Sequence, residues 1–153
     1  MKARELKIPP LLLVVLFTVA MWAVSLATPN FDVAPAIRYA GAVFFTLPGV
    51  VFCLYGVLHF RQAKTTVNPL TPDSATALVS SGVYRISRNP MYLGFLCLLL
   101  AWATLLANLF ALLLALLFAP YMNRFQILPE ERALQSLFGA DYNAYRQQVR
   151  RWL

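Results

Sequence analysis

Two short polar stretches hold most of the side chains that could do chemistry. The first is Tyr84-Arg85-Ile86-Ser87-Arg88-Asn89-Pro90-Met91-Tyr92-Leu93-Gly94, and the second is Asn123-Arg124-Phe125-Gln126-Ile127-Leu128-Pro129-Glu130-Glu131. The block between them, 91–122, has no charged residue. If that block folds back on itself as a helical hairpin, its two ends meet. Tyr92 then comes close to Asn123, and Arg85 and Arg88 come within reach of Glu130 and Glu131. Such a pocket suits a zwitterionic ligand, with a carboxylate on arginine, bidentate where geometry allows, and an ammonium on glutamate.

Each of these residues also has a plainer reading. Arg85 and Arg88 read equally as basic residues that set membrane orientation. Glu130 and Glu131 read as helix-start acids beside the positive dipole end, following Pro129. Tyr142, Tyr145 and Trp152 read as aromatic anchors at a membrane interface, a role also open to Tyr92. Gly94 reads as a small residue that lets helices approach.

The elements that must position the stretches follow from composition. The 153 residues are 60% hydrophobic and 12% charged. A soluble globular domain has about 45–50% apolar and about 25% charged residues. This balance excludes an ordinary soluble globule and a disordered chain. Two cysteines and 6 glycines exclude a disulfide framework and collagen. The net charge of +7 flanks apolar runs, so it reads as membrane topology and attraction to anionic lipid rather than nucleic-acid binding.

The fold class is therefore all-α: a polytopic membrane protein of a single domain, with about four transmembrane helices. Their expected spans are 8–27, 39–60, 91–107 and 109–122, with a polar loop over 61–90 and a helical tail over 123–153. The first run resembles a signal peptide near Ser25-Leu26-Ala27, but it exceeds the usual apolar core of about 7–15 residues and reads as a span. Pro48 should kink the second span and Pro120 the last. At 1.5 Å per residue the hairpin arms reach roughly 21–26 Å, short of a hydrocarbon core of about 30 Å. In the tail, Pro129-Glu130-Glu131 starts a helix and Gly139 interrupts it. Tyr142, Tyr145, Val149 and Trp152 then fall on one helical face suited to the interface. The basic flanks Lys2, Arg4, Lys7, Arg61, Lys64, Arg85 and Arg88 place both termini, the loop and the polar site on the cytoplasmic side of a bacterial-type inner membrane.

Other chemistry is poorly supported. No G-x-G-x-x-G or H-E-x-x-H occurs, and His59 is the lone histidine. Cys53 and Cys97 sit in separate apolar runs and read as two buried thiols rather than metal ligands. S-adenosylmethionine is a zwitterion with an apolar adenine face and a sulfonium. Methyl transfer from it needs positioning and exclusion of water, with no metal strictly required.

The stretch Gly82-Val83-Tyr84-Arg85…Arg88-Asn89-Pro90-Met91-Tyr92-Leu93-Gly94 resembles the arginine-histidine-proline-x-tyrosine-x-glycine motif of isoprenylcysteine carboxyl methyltransferases. Pro129-Glu130-Glu131…Leu134…Phe138-Gly139…Tyr142…Tyr145…Val149…Arg151-Trp152 resembles the paired-glutamate motif of the same superfamily, which phospholipid methyltransferases share. The resemblance covers about 67–153. It implies a membrane S-adenosylmethionine site built from Tyr84, Arg88, Asn89, Pro90, Tyr92, Leu93, Gly94, Asn123, Glu130 and Glu131, with Arg85 and Glu131 nearest the chemistry. Arg88 and Asn89 would hold the methionine carboxylate, and Glu130 or Glu131 the ammonium. Asn89 stands where the motif has histidine, so no imidazole base is available there. The implied acceptor is lipophilic: an isoprenoid-linked carboxylate, a lipid amine or a small thiol. Membrane lipids are the implied surroundings. A sterol-reductase-like oxidoreductase, which would need room for a nicotinamide dinucleotide, and a non-catalytic membrane subunit are the competing readings.

Overall fold

The computed structural model describes residues 8–62 and 77–153; Lys2, Arg4, Lys7 and Lys64 of the orientation argument fall outside these. Five helices follow one another: α1 (Pro10–Ala27), α2 (Pro35–Gln62), α3 (Pro90–Leu106), α4 (Leu109–Met122) and α5 (Leu128–Gln148). A 3-10 turn over Gly82–Arg85 leads towards α3, and a π-helical turn over Asn123–Ile127 joins α4 to α5. Uncharged runs of this length form helices because hydrocarbon offers no partner to an open backbone group.

Proline marks the helix starts. Pro10 and Pro90 sit in the first turn of α1 and α3, where a missing N–H costs nothing. The same logic starts α2 at Pro35, ahead of Tyr39, where the apolar pattern begins. The hairpin tip is built by two residues. Ala107 takes a left-handed conformation (φ 48°), and Asn108 caps α4 by accepting the Ala111 amide at 2.9 Å. The Asn108 side-chain amide also reaches Thr28 Oγ1 (2.8 Å), the Pro29 carbonyl (3.1 Å) and Asn30 Oδ1 (2.9 Å). The one strongly polar residue in the apolar block is thus the clasp between the hairpin tip and the end of α1.

The core lies between α1, α3 and α4. Ala111, Ala115, Phe118 and Met122 recur at helical spacing and are fully buried, facing Leu13, Met21, Leu99 and Ala103. The opposite face of α4, with Leu112, Leu113, Leu116 and Leu117, is exposed, as a lipid-facing surface must be. Helix α2 packs along α3. The approach is close at Gly94, where an added Cβ would sit 2.7 Å from the Gly49 carbonyl oxygen and 2.5 Å from Cys53 Sγ.

Pro10–Ala27, Pro35–His59 and the helix continuing from Leu109 are long and apolar enough to cross a bilayer. α3 is shorter, with 17 residues. These helices make the chain an all-α membrane protein. α5 bends at Gly139, whose φ of 49° and ψ of −111° no L side chain adopts easily.

The tail departs from the sequence pattern. α5 ends at Gln148, and Val149 is extended (φ −124°, ψ 132°), so Tyr142, Tyr145, Val149 and Trp152 do not share one helix. Tyr142 and Tyr145 are not interface anchors either. They are buried, with Val149, against Val79 and Tyr84, and the Tyr145 hydroxyl donates to the Tyr84 carbonyl at 2.7 Å. Trp152 packs on the main core. The physical reason is local. The segment before α3 has no core of its own, and the aromatics of α5 provide one.

Candidate active site

The two polar stretches meet at one end of the bundle. Arg88 immediately precedes the Asn89–Pro90 start of α3, and its Nη2 lies 3.1 Å from Glu131 Oε1. Glu131, in the first turn of α5, is buried. It also takes a two-pronged ion pair from Arg151, with Nη2 2.7 Å from Oε2 and Nε 3.0 Å from Oε1. One carboxylate therefore balances two guanidiniums. Planar bidentate pairing of this kind fixes orientation as well as energy.

The C-terminal segment after α5 is tied to the first stretch through its backbone. The Arg88 amide donates to the Arg150 carbonyl (3.0 Å). The Arg151 carbonyl accepts from Ser87 Oγ (3.2 Å) and Asn89 Nδ2 (3.0 Å). Trp152 Nε1 donates to Asn123 Oδ1 at 3.0 Å. This segment thus bridges the start of α3, the π turn and the first turn of α5.

Beside this knot, the Tyr92 hydroxyl donates to Glu130 Oε1. Glu130 lies beyond the apolar part of the α4–α5 helix, which ends at Met122. Its carboxyl is pushed up to about 8, chiefly by burial; the Tyr92 hydrogen bond opposes the shift and the neighbouring Glu131 charge adds to it. Glu130 is thus largely neutral at pH 7. For Arg151 the Glu131 hydrogen bonds are the main cause holding the guanidinium above its ordinary value.

Arg88 is only partly satisfied. Its Nε and Nη1 are buried and have no hydrogen-bond partner among the described residues. Buried guanidinium donors without acceptors are costly, and such a gap marks a place for an anionic group. Gln126 is buried too. Its Nε2 donates to the Ile8 carbonyl (2.7 Å), while Oε1 has no partner among the described residues.

The structure sorts the candidate residues. Arg88, Asn89, Tyr92, Asn123, Glu130 and Glu131 are gathered at one end of the bundle with the C-terminal segment. Pro90 is buried and starts α3. Leu93 is buried one turn above Asn89, whose carbonyl its amide meets. Tyr84 is buried under α5. Gly94 faces Gly49 and Cys53 of α2, so its small size serves helix packing. Arg85 is exposed at the end of its turn and joins no ion pair among the described residues.

Ser87, Gln126 and the ion-pairing role of Arg151 were not evident in the sequence pattern. Arg151 lies off the apolar face of a helix that stops short of it. The available signal was charge: two adjacent acids facing one buried arginine leave room for another cation.

Residues 37–141 match the phospholipid methyltransferase family. The chain belongs to that family. The match takes in Arg88, Tyr92 and both glutamates, and stops before Arg151. Family membership makes the protein a membrane methyltransferase in general terms. An uncharacterized protein of Haemophilus influenzae is 49% identical over 63 residues, which is 41% of this chain and all of that protein. No solved structure matches the chain. Among the described residues, no group of three or more His, Cys, Asp or Glu could hold a metal ion.

Proposed function

We propose that this protein transfers a methyl group from S-adenosylmethionine to a lipophilic, membrane-associated acceptor. The observation that carries the reading is the pair of unpartnered, buried Arg88 donors at the same end of the bundle as Glu130. The residues fit the methionine end of the molecule. Arg88 Nε and Nη1 would take its carboxylate. Glu130, rather than Glu131, would take the ammonium, because both Glu131 oxygens are already held by arginines. Glu131 is then a charge-balancing, positioning residue.

When bound, S-adenosylmethionine supplies a methyl group on a positively charged sulfur. That methyl group would pass to the acceptor's lone pair, with the electron pair of the carbon–sulfur bond left on sulfur. Orientation and exclusion of water can supply much of such a rate. The chain's own contribution is to seat the cationic end on Glu130, fix Tyr92 against it, and shield the site beneath the C-terminal segment. Asn89, expected beside the carboxylate, instead holds the Arg151 carbonyl. The acceptor is a lipid amine, an isoprenoid-linked carboxylate or a small thiol, and exposed Arg85 is placed to meet an anionic one. The site faces the cytoplasm in this reading.

The test is titration calorimetry of purified protein with S-adenosylhomocysteine. Binding is expected, and Arg88→Ala should weaken it by on the order of tenfold to a hundredfold, as for a charge-assisted hydrogen bond. Folded protein that binds nothing at millimolar ligand overturns the proposal. NADPH binding in its place would support the oxidoreductase reading.

A further inference from the structure

A cavity lies at the other end of the bundle. The cluster around Arg88 sits at the start of α3, whereas a cavity of about 350 Å³ opens at its end, against Leu105 and Leu106. α3 has 17 residues, so the two are about 25 Å apart. The remaining walls come from Trp22 of α1, from Pro35, Arg38 and Tyr39 at the start of α2, and from Trp102. Helices α1 and α2 both pack on α3, and the cavity lies where α3 floors the gap between them.

Arg38 is the one charged side chain on the wall. Its Nη2 donates to the Leu105 carbonyl, one of the open groups at the end of α3. Its other guanidinium donors have no partner among the described residues. Trp102 is fixed by donating Nε1 to the Thr18 carbonyl at 3.2 Å. Trp22 and Tyr39 are 52% and 65% exposed, and the neighbouring Ile37 and Leu26 are exposed as well. The mouth is therefore apolar and aromatic, on helices that face lipid, around a single buried-side cation.

We propose that this cavity binds an anionic phospholipid from the leaflet opposite the Arg88–Glu131 cluster. Its phosphodiester would sit on Arg38 between the aromatic walls, and an acyl chain would lie along the exposed apolar faces of α1 and α2. A guanidinium with donors left over beside lipid-facing helices favours an anion, and a phosphate offers the bidentate geometry it prefers. The volume suits a headgroup and its glycerol. A freely soluble anion would lack the apolar part that this mouth accommodates.

The tryptophans report the site directly. The chain has 3, and Trp152→Phe leaves only Trp22 and Trp102, both on the cavity wall. This variant is placed in phosphatidylcholine vesicles containing either phosphatidylglycerol or phosphatidylcholine with brominated acyl chains, and fluorescence quenching is followed. Brominated phosphatidylglycerol should quench at a mole fraction lower by on the order of tenfold, the effect of one charge-assisted contact. Arg38→Gln should abolish that preference and Arg38→Lys retain part of it. Inorganic phosphate should not relieve the quenching; if it does, the site takes free anions and the proposal falls. Equal quenching by the two lipids, or an unchanged preference in Arg38→Gln, also overturns it. Should Arg38→Gln fail to fold, Leu106→Phe narrows the cavity with the cation kept, and an undiminished preference there decides against the site.

Discussion

At the level of single residues, the two adjacent glutamates have opposite environments. Glu131 is neutralised by Arg88 and Arg151, whereas among the described residues Glu130 meets the Tyr92 hydroxyl and is held near 8 chiefly by burial. A carboxyl raised from an ordinary value of about 4.3 binds more protons folded than unfolded, so its contribution to stability falls as pH rises between about 4.3 and about 8. A cation bound beside it favours the carboxylate, so the proton leaves on binding. S-adenosylhomocysteine affinity should therefore rise with pH up to about 8 and then level off. Calorimetry at about pH 6.5 in two buffers of different ionisation heat should show up to about one proton released. Glu130→Gln should release none. Arg151 gives a second expectation. Arg151→Ala leaves Glu131 with Arg88 alone, which should lower thermal stability by about 1–3 kcal/mol and weaken ligand binding by pulling Arg88 onto Glu131. A variant with wild-type melting and affinity would remove Arg151 from the site. The sequence placed Arg85 and Arg88 within reach of both glutamates; the structure brings Arg88 to Glu131 and leaves Arg85 exposed. The different surroundings of the two glutamates depend on a residue twenty positions downstream, in a C-terminal segment whose docking is tertiary.

At the level of elements, the hairpin was legible because its signals are local. The uncharged block, the single Asn108 and the Pro90 start all act within a turn or two of chain. The structure uses Asn108 more heavily than a turn residue requires, capping α4 and holding Thr28, Pro29 and Asn30. Asn108→Ala should therefore cost more than the usual cap loss of about 1 kcal/mol, because buried partners at the end of α1 lose a donor too. A chemical or thermal unfolding shift no larger than that of a plain cap deletion would show that the clasp to α1 contributes nothing. The C-terminal aromatics were misread for a related reason. Their three- and four-residue spacing is the same whether a helix faces lipid or covers a neighbouring turn. Only the position of the 78–85 segment distinguishes the two, and periodicity does not contain it.

At the level of the molecule, the two ends of the bundle are chemically distinct. One gathers Arg88, Glu130, Glu131 and Arg151. The other gathers the hairpin tip and the Thr28–Asn30 link, with Arg38 capping the end of α3. The start of α1 lies at the first end, where the Ile8 carbonyl accepts from Gln126. If all four apolar helices cross, the start of α1, exposed Arg85 and the tail share one face of the membrane, and Asn30 lies on the other. The short arms of the hairpin make this a real question, since roughly 21–26 Å of helix falls below a typical core thickness. Cysteine labelling can decide it. In a Cys53→Ala, Cys97→Ala background, single cysteines at Arg85, Ser136 or Asn30 are exposed in sealed cells to a thiol reagent that does not cross the membrane. Cysteine at Asn30 should react from outside, and those at Arg85 and Ser136 only after the membrane is opened. A cysteine at Asn30 that reacts from neither side, with those at Arg85 and Ser136 still labelled once the membrane is opened, would mean that the hairpin dips into the bilayer and returns, with the tip network, Asn30 included, submerged and the Arg38 cavity facing the bilayer interior.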